Sequence, residues 1–95
     1  MDESLTLQKA LLQLDHGRVE KAEVTLRELL ERSQPGVVRI RALVVYGDLL
    51  HQLGRADKAT ALLESALREA PELDVDDLLD MELERARDLL GMAPE

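Results

Sequence analysis

The hexapeptide GRVEKA at residues 17–22 returns as GRADKA at residues 54–59, 37 positions further on. Each copy follows a stripe of apolar residues spaced by three and four, and each leads into another such stripe. A glycine just past a helix readily takes the left-handed backbone that other residues avoid, and so ends the helix. A chain that twice spells helix, glycine turn, helix is confined to helical hairpins. The three-and-four spacing cannot also serve strands, whose side chains alternate with a period of two.

The stripes place the helices. Leu7, Ala10, Leu11 and Leu14 mark the first, and Val19, Ala22, Leu26, Leu29 and Leu30 the second. Gln34-Pro35-Gly36 breaks the chain after it, since proline lacks the amide donor and disfavours helix in the residue before it. The third stretch, about Val38 to Leu53, is apolar nearly all round, with Ile40, Leu43, Val44, Val45, Tyr46, Leu49 and Leu50. Such a helix belongs at the centre of a domain. The fourth spans about Ala56 to Ala70, before Pro71. The fifth is expected from Asp74, read as an N-cap, with Asp76 and Asp77 in a first turn where the helix dipole favours acids. It ends at Gly91, and Met92–Glu95 is expected to fray.

Composition agrees with this all-α reading. Apolar residues make up 45% of the 95, yet Tyr46 is the only aromatic. A core of Leu, Val and Ala suits helices better than sheets. The length allows one domain, residues 1–95. Cysteine is absent, which removes disulfides and thiolate metal sites. No apolar run approaches the roughly 20 residues of a membrane span. The opening MDESLTLQKALL has no basic region before an apolar stretch, so no secretory signal is expected there. A cytoplasmic protein is the resulting expectation. The net charge is −8, and residues 74–95 hold two basic and eight acidic groups. Nucleic acid and anionic membranes repel such a chain, so neither is expected as a partner. The acidic end reads either as a solvated helix face or as a dock for a basic partner segment.

The glycine-to-alanine spacing resembles the tetratricopeptide repeat, a 34-residue helical hairpin with small residues at fixed places and a closing proline. In residues 38–71, Gly47, Gly54, Ala59, Ala66 and Pro71 match that pattern, with Leu43, Tyr46, Leu50 and Leu63 at large positions. In residues 4–36, Gly17, Ala22 and Leu26 match, Leu29 replaces the second small residue, and Pro35 comes one residue late. The register of the first helix is open. Counting back from Gly17 puts Ala10 at the small position. Aligning Leu14 with Leu53 shifts it and needs a longer turn. The resemblance implies an α-α superhelix of two units, closed by a capping helix over about 74–90. Slim Gly47, Ala59 and Ala66 then let facing leucines enter, so that antiparallel helices approach closely.

The resemblance also implies a concave face lined by first helices that binds a peptide or partner helix. Carried over by position, that face holds Arg41, Val44, Asp48, His51 and Gln52 in the second unit. In the first unit it holds Ser4, Leu7, Leu11, Leu14 and Asp15. The other register buries those leucines inside the unit. The expected function is therefore a non-catalytic protein-interaction module. The alternatives are a self-associating domain, for instance a homodimer joined through an uncapped first helix, and a regulatory domain of a larger complex. Catalysis is not expected. His16 and His51 share no motif, the serines lack a nucleophile-elbow context, and the glycines form no phosphate loop. No metal and no cofactor is expected. Asp74, Asp76, Asp77 and Asp80 lack the central glycine and terminal glutamate of a calcium loop.

Overall fold

A computed structural model describes residues 2–91, and the chain is all-α. The helices are α1 (Glu3–Asp15), α2 (Val19–Arg32), α3 (Val37–Gln52), α4 (Ala56–Glu69) and α5 (Asp80–Leu89). A 3-10 turn, Ala70–Leu73, extends α4 through Pro71. Met92–Glu95, read above as a fraying end, lies outside the described residues.

The two glycine turns have the same geometry. Gly17 has φ 73° and Gly54 φ 80°, both in the left-handed region. After each glycine comes an arginine with nearly the same backbone, φ −90° and ψ 65° at Arg18, φ −94° and ψ 67° at Arg55. The Arg18 amide donates to the Gln13 carbonyl (2.8 Å) and the Arg55 amide to the Leu50 carbonyl (2.9 Å). This five-residue reach back is the signature of a glycine-capped helix end. Gly17 therefore corresponds to Gly54, and Ala10 to Gly47. The first helix keeps the register counted back from Gly17, with Ala10 fully buried.

Within each hairpin the small residues face the partner helix. Gly47, Ala59 and Ala66 are buried between α3 and α4, as are Ala10 and Ala22 between α1 and α2. Central α3 touches all four other helices, as its all-round apolar surface requires. Two apolar clusters result. One joins Leu7, Ala10, Leu26 and Leu29 to Ala42, Tyr46, Leu49 and Leu50. The other joins Ile40, Leu43 and Val44 to Leu63, Ala66, Leu79 and Ala86. Helices α1 and α5 do not meet, and lie on different sides of α3.

The fifth helix differs from its expected span. It starts at Asp80, not Asp74. Asp74 and Asp76 both have φ 52°, a left-handed conformation that a helix cannot contain. Aspartate is one of the few residues that tolerate it, and the same short polar side chain that caps helices also favours turns. The acids read as a helix start instead form the turn that carries the chain from α4 back onto α3. Leu79, just before α5, is 2% exposed and sits deep in the second cluster.

Candidate functional site

Part of the α3 face assigned above to ligand binding is occupied by the chain itself. Val44 is 5% exposed and packs in the cluster that contains Leu79 and Ala86. Arg41 Nε donates to Glu82 Oε2 (3.0 Å). Arg85 of α5 makes a forked pair with Asp48, with two bonds of 3.1 Å, and Gln52 Nε2 donates to the same carboxylate (3.0 Å). Asp48 is thus tied to Arg85 and Gln52. His51 and Gln52 are exposed. Of the first-unit positions, Leu7 is buried in the core, Leu14 is half-buried and Leu11 is 40% exposed. Val44 and Leu7 therefore belong to the core, and Arg41 and Asp48 pair with side chains of α5. The correction has one cause: α5 follows the tight 74–79 turn and lies across the α3 face that an open groove would use.

Burial raises the Asp48 pKa, but hydrogen bonds from Arg85 and Gln52 outweigh it and hold the carboxyl below its ordinary value. Glu23 is also held low. There too burial acts upward and is outweighed, here by the Tyr46 hydroxyl (3.0 Å) and the Arg55 guanidinium (2.6 Å). A depressed pKa in the fold means that the charged carboxylate is favoured there. Its stabilisation is present above the unfolded-chain values of about 3.9 for Asp and 4.3 for Glu, and is lost as pH falls through the lower folded values. The urea midpoint is therefore expected to be flat near neutrality and to fall below about pH 4. Asp48→Asn is expected to start from a lower midpoint and to fall less steeply in acid. A variant that keeps the full wild-type acid slope contradicts the pairing.

An open concavity lies elsewhere. Helices α2 and α4 both flank α3 but do not pack on each other. Between them runs a cleft of about 390 Å³. Leu30, Tyr46, Leu50, Ala61 and Leu62 form its apolar surface, and Arg27, Glu31 and Lys58 its rim. Each wall presents residues at i, i+3 and i+4, Arg27-Leu30-Glu31 on α2 and Lys58-Ala61-Leu62 on α4, so each wall is one helix face. The Tyr46 hydroxyl is turned to Glu23, which leaves its ring to the cleft. Among the described residues, Arg27 and Lys58 have no carboxylate within 4 Å, unlike Arg39, Arg41, Arg55 and Arg85.

The sequence reading missed this cleft, because it placed Tyr46 and Leu50 only in a buried central helix. The two triplets at helical spacing, each pairing a cation with an apolar residue, were the available signal. On the outer side of α1, Leu5 and Leu12 stand open to solvent. Among the described residues no group of three or more His, Cys, Asp or Glu is placed to hold a metal ion, and no helix is long and apolar enough to cross a membrane. No protein-family model, curated protein or solved structure matches the chain.

Proposed function

We propose that this chain is a non-catalytic protein-interaction module, built as two tetratricopeptide-like hairpins and a closing helix. The matched Gly17 and Gly54 turns support the repeat reading. The α2–α4 cleft carries the binding reading. An apolar floor whose rim sets two cations, Arg27 and Lys58, against one acid, Glu31, is a local excess of positive charge on a chain of net charge −8. Its chemical complement is a short helical or extended segment with one or two aliphatic anchors and acidic neighbours. The anchors fill the cleft over Tyr46 and Leu50, and the acids meet Arg27 and Lys58. Small grooves of this kind commonly take one face of a partner helix.

Ala61→Arg tests this reading. Ala61 is exposed on the cleft wall, and arginine is a good helix former, so the fold stays intact while the cleft fills. Peptides selected from a random library on dilute, immobilised wild-type chain are expected to share the acid-flanked aliphatic pattern. They are expected to lose at least tenfold in affinity for Ala61→Arg. Selected peptides that bind the variant as tightly as wild type place the binding surface somewhere else.

A further inference from the structure

The chain itself displays a segment of the chemistry the cleft requires. Met81 is 82% exposed and Leu78 is 55% exposed. Met81 leaves α5 on the side away from buried Ala86, five residues along, so it points out of the domain. Asp77, Asp80 and Glu84 surround the pair and are all exposed. Arg85 is committed to Asp48, which leaves Arg87 as the nearby cation. Methionine is flexible and polarisable, fills irregular apolar gaps, and is enriched in interface cores.

We propose that the α2–α4 cleft receives the Leu78–Met81 edge of a second copy of this chain, with Asp80 and Glu84 facing Arg27 and Lys58. This rests on the reading of the cleft given above. A chain cannot fill its own cleft, because α5 packs on α3 and α4 and does not reach α2. The contact is heterologous, cleft to edge, and every copy carries both halves. One helix edge in one cleft falls below the roughly 1,200 Å² of a standard interface, so the association is weak and reversible.

Sedimentation across about micromolar to millimolar chain concentration tests the proposal. The wild-type mean mass is expected to rise from the 10.6 kDa of one chain to at least double. Met81→Lys and Ala61→Arg each change an exposed side chain and are each expected to stay single. Mixed one to one, they are expected to pair and grow no further. The Ala61→Arg chain keeps its α5 edge, and the Met81→Lys chain keeps its cleft. A wild type that stays single at all concentrations overturns the proposal. So does either variant associating like wild type, or a mixture that fails to pair. Peptide binding to Met81→Lys reports on the cleft separately. If that chain binds the selected acid-flanked peptides while wild type stays single, only self-docking fails. If it binds none, both readings fail.

Discussion

Leu79→Ala is expected to lower the unfolding free energy by about 2–5 kcal/mol. Leu78→Ala, one residue earlier, is expected to change it by less than about 0.5 kcal/mol. The two leucines are adjacent and chemically alike, so unfolded-state effects nearly cancel in the comparison. What differs is surroundings. Leu79 is wedged among Ile40, Leu43, Val44, Leu63, Ala66 and Ala86, while Leu78 faces water. Leu79 also precedes the first residue of α5, outside any helix. Its burial is what fixes the turn of Asp74 and Asp76 against α3, and removing it leaves a cavity beneath that turn. Urea unfolding of the two variants decides the matter. Equal costs for both would mean that α5 does not sit where it lies here, and that the α3 face is open.

The hairpins were legible in the sequence because their punctuation has a single meaning. Gly17 and Gly54 each close one helix with a left-handed residue, Pro35 lies in the break after α2, and Pro71 lies where α4 gives way to a 3-10 turn. The ends of α1 to α4 accordingly fall close to where those residues put them. Buried Ala22, Ala59 and Ala66 were legible for the same reason, since a small residue at helical spacing between leucines has few other uses, whereas Ala10 held the small position in only one of the two registers left open. Asp74 and Asp76 were not legible, because aspartate serves a helix start and a left-handed turn equally well. Only the pull of Leu79 into the core decides between them. The contact of α5 with the α3 face was not legible for a related reason. Arg41, Val44 and Asp48 do share a face of α3, but no local pattern says that α5 of the same chain will lie on it. The α2–α4 cleft depends on the spacing of two helices that never touch, a quantity absent from any single stripe.

Gly47, the most closely packed of the glycines, supplies the sharpest test of how the second hairpin is built. A Cβ placed on Gly47 would lie 2.7 Å from both Cγ and Cδ2 of Leu63, and 3.5 Å from the Ala59 carbonyl oxygen. Leu63 is 1% exposed and packed on every side, so it has no free rotamer to retreat into. Gly47→Ala sets two effects against each other. Alanine favours a helix interior over glycine by about 1 kcal/mol. Overpacking of a filled core costs about 1–3 kcal/mol, and here the clash involves the branch point of the leucine as well as its tip. A clash at the branch point puts the cost in the upper part of that range, about 2–3 kcal/mol, so a net loss of about 1–2 kcal/mol is expected. Leu63→Ala alone is expected to cost about 2–5 kcal/mol through the cavity it leaves. In that background the clash is gone, so adding Gly47→Ala is expected to stabilise by up to about 1 kcal/mol. The sign of one substitution thus reverses with the identity of its neighbour, which a double-mutant cycle reads directly. The first hairpin shows why this is not a trivial outcome. Ala10 holds the position matched to Gly47, and Leu26 the one matched to Leu63, and both are fully buried. In that hairpin α1 packs on α2 and α3 alone. Helix α3 is held by four neighbours at once and cannot withdraw from α4 without opening another contact. If Gly47→Ala proves neutral or stabilising with Leu63 intact, α3 is free to shift, and close approach is not what holds the second hairpin together.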